Sequence, residues 1–159
     1  MKARLDYFVR APEIMKAVLG LNRAVEASGI EHGLMHLVKI RASQINGCTY
    51  CLDMHNHEAL VDGEDPRRLF LVAAWRESPL LTERERAAFE WTEAVTQISH
   101  GGVSDALYAR MRGQFSDEEL VKLTAVIAII NVWNRFSVSF HSIHPQHREA
   151  VHRPTGKGE

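Results

Sequence analysis

The chain has 159 residues, enough for one domain with a sizeable core, and its 45% hydrophobic and 25% charged content is that of an ordinary globular protein. Nineteen basic residues face twenty acidic ones, for a formal net charge of −1, and no basic stripe with interleaved aromatics appears, which argues against nucleic acid as the main partner. The opening residues, Met1-Lys2-Ala3-Arg4-Leu5-Asp6, lack the apolar run of a secretory signal, so the cytoplasm, where thiols stay reduced, is the expected location.

Along the chain the punctuation is helical. Pro12 suits the first turn of a helix running to about Ala27, with Met15, Val18, Leu19 and Leu21 as its apolar positions and Gly29 as its stop. A second helix is expected over His32 to Ile45, with Leu34, Leu37, Val38 and Ile45 broadly on one side. Asn46-Gly47 ends it, because these residues tolerate the left-handed backbone of a helix stop. A third helix opens at Cys48 and continues to about Leu60. Asp65-Pro66 reads as an N-cap and first helical residue for a segment to Trp75. Thr82 to Glu85 is a capping box before a helix through Thr96, and Ser104 caps a short helix to Met111. Ser116 to Glu119 is a second capping box, opening an apolar run to Phe140.

No stretch alternates with period two, so the expected fold class is all-α. The expectation is one helical domain of about six to eight helices over residues 1–152, followed by a polar tail at 153–159. The last helix is apolar almost all round but carries Lys122, Asn131, Asn134 and Arg135, so it does not read as membrane-spanning. Such a helix needs cover on every side, and burial against another subunit makes a homo-oligomer the expectation.

Both cysteines of the chain, Cys48 and Cys51, lie three apart at a helix start. Free N–H groups and the positive end of the helix dipole favour a thiolate there, and thiolate is the nucleophilic form of sulfur. His55 follows Cys51 by four residues and shares its helix face, within reach to take a proton from the thiol and return it to a leaving group. These are the parts for peroxide chemistry. One thiolate attacks the O–O bond, becomes a sulfenic acid, and is captured by its neighbour as a disulfide.

Other readings compete for the same residues. The cysteines could be small core residues, or Cys48, Cys51 and His55 could bind zinc with His36 or His57 as fourth ligand, although structural zinc usually draws on two separated segments. A c-type haem attachment requires histidine directly after the second cysteine, where this chain has Leu52. His36 could sit on a helix surface or join the cysteine site, and His57 is expected in solvent. The run His141, His144, His147 reads as a solvated or subunit-contacting tail. Tyr50 is expected to pack over the thiol pocket or shape its entrance. Asp53 suits the first turn of its helix. Asn131, Asn134 and Arg135 read as fixing helix packing or oligomer contacts, and Trp75, Trp91 and Trp133 as core or interface anchors.

The segment from Leu37 through Cys48 and Cys51 to His55 resembles the core motif of the carboxymuconolactone decarboxylase/alkylhydroperoxidase D-like family. Ala128 to Phe136 is similar to that family's last-helix sequence, and the likeness runs from about Ala17 to Phe140. The resemblance implies an all-helical fold, a trimer or hexamer built from dimers, and thiol-dependent reduction of hydroperoxides; the expected enzyme is a homo-oligomer (dimer, trimer or hexamer) that needs no bound organic cofactor. An external dithiol, protein or lipoyl, serves as reductant. Carried onto this chain, it makes Cys51 the attacking and Cys48 the resolving cysteine, with His55 in the proton relay. The superfamily's true decarboxylases lack the paired cysteines, which makes lactone or decarboxylation chemistry the least favoured reading. The chain departs from the resembling enzymes twice. His36, twelve residues before Cys48, stands where they carry a relay glutamate, and Tyr50 stands where the well-studied peroxidases carry a histidine.

Overall fold

A computed structural model describes residues 2–144. The tail assigned to 153–159, the domain end at 152 and His147 lie outside the described residues. Within them the chain forms eight α-helices and two short 3-10 segments, and no strand. The helices are α1 Tyr7–Arg10, α2 Pro12–Glu26, α3 His32–Asn46, α4 Thr49–Val61, α5 Pro66–Leu71, α6 Glu83–Thr96, α7 Asp105–Arg112 and α8 Asp117–Phe140.

The local stops and starts follow the side-chain chemistry. Both capping boxes are formed: Thr82 and Glu85 close the N-terminus of α6, Ser116 and Glu119 that of α8. Asp65 caps α5 with Pro66 behind it, and Ser104 caps α7. Gly47 ends α3 at φ 64°, left-handed backbone that a Cβ would strain. Gly29 is also left-handed at φ 87°, but α2 has already ended at Glu26, with Ala27 as its C-cap. The segment expected from Asp65 to Trp75 divides, because Ala74 leaves helical geometry and Val72–Glu77 tightens into a 3-10 turn. One helix was not anticipated, α1, which Asp6 caps by accepting hydrogen bonds from the Phe8 and Val9 amides.

The one-sided reading of the second helix is corrected. α3 is buried from Leu34 to Ile40 and again at Ala42 and Ser43, while Ile45 is only half-buried, because α4, α6 and α8 pack around it. It is the axle of the molecule. One apolar cluster joins Leu34, Met35 and Val38 of α3 to Ala88 and Trp91 of α6 and Leu123, Val126 and Ile127 of α8. A second joins Leu37 and Ile40 to Ala59, Leu69, Val72, Trp75 and Phe89 on the opposite flank. Each such buried aliphatic side chain contributes about 1.5–3 kcal/mol.

α8 is the one helix among the described residues long and apolar enough to cross a membrane by length and composition. It packs on α2, α3, α4, α6 and α7, and buries Leu120, Leu123, Val126, Ile127, Ile129 and Ile130, which is the behaviour of a core helix. α2 departs from expectation in the other direction: Met15 is buried and Val18 half-buried, but Leu19 and Leu21 are exposed.

Candidate active site

The chain reverses at Gly47, so α4 begins beside the end of α3, where a polar clamp fastens both to α8. The Asn46 side-chain amide donates to the side-chain oxygens of Asn131 (2.9 Å) and Asn134 (2.8 Å). Asn134 in turn donates to the Ser43 hydroxyl (3.0 Å), and Asn131 to the Thr96 hydroxyl (3.0 Å). Arg135 reaches back to the Asn131 carbonyl at 2.9 Å. Asn131 and Asn134 hold helices together, whereas the hydrogen bonds of Arg135 to Asn131 stay within α8.

On this footing Cys48 is the N-cap of α4, its sulfur accepting the Cys51 amide at 3.3 Å. Cys48 and Cys51 are joined as a disulfide with Cα atoms 5.4 Å apart. Both are almost fully buried, in a cluster with Ala42 and Ile130, and Tyr50 and Trp133 pack against it. The two cysteines differ in what they face. Cys51 walls a cavity of about 290 Å³, whereas Cys48 is not among its lining residues. Tyr7, Phe8, Tyr50, Ile129, Ile130 and Trp133 form the apolar wall, and Glu26, Lys39, His55 and Glu58 supply polar groups. Tyr50 is therefore at the thiol pocket, as expected. Tyr7 and Phe8 come from the unanticipated α1, docked to the end of α8 by Arg4, whose amide donates to the Phe140 carbonyl at 2.9 Å.

His55 is buried, and its Nδ1 shares a hydrogen bond with Glu58 Oε2 at 2.8 Å. Burial of the ring, which outweighs the pull of Glu58, holds its pKa below the ordinary 6.5, so at neutral pH the imidazole is uncharged. In that form Nδ1–H donates to the carboxylate and Nε2 keeps a lone pair. Nε2 is buried with no hydrogen-bonding partner among the described residues. Burial alone would raise the Glu58 pKa, but the hydrogen bond from His55 and the nearby positive charge of Lys39 prevail and hold it below the ordinary 4.5. Lys39 is itself buried, ion-paired to Glu26.

His36 is not on the surface. It is 8% exposed, with Nε2 hydrogen-bonded to Asp62 at 2.7 Å and Nδ1 unpartnered among the described residues. One donor atom each from His36, His55 and Glu58 lie within 4.8 Å of one another. Of the conditional zinc set of Cys48, Cys51, His55 and His36, the structure groups the two histidines with Glu58, while the two sulfurs are bonded to each other. His57 is half-buried rather than solvated. His144 is exposed but engaged over the start of α4, with Nε2 3.2 Å from the Thr49 hydroxyl, edge-on to Tyr50, and Nδ1 3.0 Å from Asp53, which lies past the first turn where it was expected, because α4 begins at Thr49.

Sequence reasoning missed Glu58, Lys39 and Glu26. Glu58 had a legible signal, a carboxylate three residues after His55 on one helix face. Lys39 had one too, as a lysine inside an apolar helix, but Glu26 lies on another helix and only packing pairs it.

Fold and site together define an all-α protein with a cysteine pair at a helix start, whose Cys51 opens onto a cavity beside a carboxylate-held histidine. The family model of the carboxymuconolactone decarboxylase family matches residues 12–94. The chain is 38% identical over 139 residues to the uncharacterized protein YdfG of Bacillus subtilis, covering 87% of this chain and 95% of that one. It is similar, at 48% identity and a TM-score of 0.88, to a crystal structure from Agrobacterium tumefaciens of a protein of unknown function proposed as the antioxidant defence protein AhpD, with 91% of this chain and 99% of that chain covered. The debrominase Bmp8, solved with 2,3,4-tribromopyrrole, shares the fold at 21% identity and a TM-score of 0.79, over 91% of this chain and 77% of that chain. The chain belongs to the carboxymuconolactone decarboxylase family and has the AhpD-like fold.

Proposed function

We propose that this protein is a thiol-dependent peroxidase that reduces organic hydroperoxides through a Cys48–Cys51 dithiol/disulfide cycle. The single observation that carries the reading is that Cys51, already paired with Cys48, shares one cavity with a neutral, Glu58-held His55. In the reduced protein His55 Nε2 takes the Cys51 thiol proton, and the thiolate attacks the terminal oxygen of the hydroperoxide. The O–O bond breaks, the alkoxide leaves with the proton returned by His55, and Cys51 becomes a sulfenic acid. Cys48 displaces water from that sulfur to form the disulfide, and an external dithiol returns both to thiols. Cys51 is the attacking residue because it faces the cavity, and Cys48 resolves from its cap position.

Tyr50 and the other aromatic walls suit a compact organic hydroperoxide better than a long charged one. His36 replaces the relay glutamate of the resembling enzymes, and Glu58 supplies a carboxylate to His55 in its stead. We place the enzyme in a reducing cytoplasm as a homo-oligomer, with no bound organic cofactor. The decarboxylase reading has no use for a dithiol.

The test begins with dithiol-reduced, desalted protein and cumene hydroperoxide, read by free-thiol titration. Two thiols per chain are expected to disappear rapidly and to return with dithiol. Full activity in Cys51→Ser, or thiols untouched by peroxide, would overturn the reading.

A further inference from the structure

Two imidazoles in this fold are prepared in the same unusual way. His36 commits Nε2 to Asp62 at 2.7 Å, and His55 commits Nδ1 to Glu58 at 2.8 Å. Each keeps its second nitrogen buried and without a hydrogen-bonding partner among the described residues. A buried polar atom calls for a partner, and a bound ion can be one. Asp62 holds His36 as carboxylates hold metal-binding histidines, gripping one ring nitrogen and leaving the other for an ion.

We propose that His36, His55 and Glu58 form a binding site for a divalent transition-metal ion of the zinc class. One donor atom from each lies within 4.8 Å of the other two, and an ion seated among them would replace the His55–Glu58 hydrogen bond with ~2.0–2.2 Å bonds to both residues. Imidazole nitrogen and carboxylate oxygen suit zinc, cobalt and nickel and are poor donors for an all-oxygen calcium site. Asp62 orients His36 from the surface and remains outside the ligand set. Three protein donors leave a fourth position open, and both His55 and Glu58 wall the cavity through which an ion enters. The cysteines are not needed, because in the oxidised protein their sulfurs bind each other.

The site and the peroxidase reading share His55 and can be tested apart. Oxidised protein with its disulfide intact is stripped with chelator, dialysed against Zn²⁺ or Co²⁺, and its metal content measured alongside Co²⁺ absorption. One ion per chain is expected, with Co²⁺ bands of a nitrogen- and oxygen-ligated ion and none from thiolate. Affinity should fall about tenfold or more in Asp62→Asn, an exposed position where folding is not at stake, and stoichiometric binding should be lost in His36→Gln. No stoichiometric ion, or binding unchanged in both variants, overturns the site. Binding that needs reduction and vanishes in a Cys48→Ser, Cys51→Ser double variant also overturns it, in favour of a thiolate site. A second arm rests on the peroxidase reading: reduced protein loaded with Zn²⁺ should lose its thiols to peroxide at least tenfold more slowly. Stoichiometric binding without that slowing upholds the site and counts against His55 as the proton acceptor.

Discussion

Glu58 accepts a hydrogen bond from His55 within α4, and in the peroxidase reading proposed above it stands in for the relay glutamate that His36 replaces. If it sets the tautomer and steadies the ring, Glu58→Gln keeps the shape but loses the charge. Peroxide-driven thiol loss should then slow by about tenfold or more, measured by stopped flow. An unchanged rate would remove Glu58 from the relay. The pH dependence follows from the same pair. His55 acts as a base only when uncharged, and burial holds its folded pKa below 6.5, so activity due to it should persist on the acid side of 6.5 before falling. Stability runs the same way. Below pH 6.5 the unfolded chain takes up the histidine proton before the folded one does, so ∂ΔG/∂pH is positive and stability declines as pH drops through the folded His55 pKa. Glu58, also held low, adds a further loss below 4.5. Urea titrations across pH 4 to 8 check this, and a protein more stable at pH 5 than at pH 7.5 would contradict it.

Elements position this chemistry through their ends. The turn at Gly47 sets where α4 starts and hence where both sulfurs sit. A Cβ there would meet no atom within 4 Å, so the cost of Gly47→Ala is backbone strain alone, about 1–2 kcal/mol at φ 64°. Gly47→Asn should cost less, because asparagine tolerates that conformation; equal losses by denaturant unfolding would refute the account. The clamp of Asn46, Asn131 and Asn134 fixes the same corner from α8. Asn134, 1% exposed, bridges Asn46 and Ser43, and its replacement by alanine strands both partners. A loss of about 1–3 kcal/mol for each unmet group follows, together with slower disulfide formation because α4 is no longer held in register. The capping boxes were readable in advance because caps are local: one side chain, three residues, one amide.

At the scale of the molecule, apolar side chains remain outside after the core is built. Phe8 and Val9 of α1, Leu19 and Leu21 of α2, and Val121 and Val138 of α8 are exposed. The homo-oligomer we propose would cover part of this surface. Sedimentation or light scattering should give a mass at least twice the 18.0 kDa chain, and a concentration-independent monomer would end that proposal. The fold alone does not name the reaction, since a debrominase carries it too, so function has to be argued from the site.

The sequence by itself determined the all-α class, the position of seven of the eight helices among the described residues, the family motif and four of the candidate site's side chains, Cys48, Tyr50, Cys51 and His55. These are properties of neighbours: caps, stops and the three- and four-residue spacing of one helix face reveal them without knowledge of what packs where. Only the tertiary structure decided that α3 is buried all round, that Lys39 pairs with Glu26, that α1 walls the cavity, and that His36 lies inward beside His55 and Glu58. Each of those depends on residues from different helices meeting. Which helix faces meet is settled by the summed burial of the whole core, a quantity no local pattern contains.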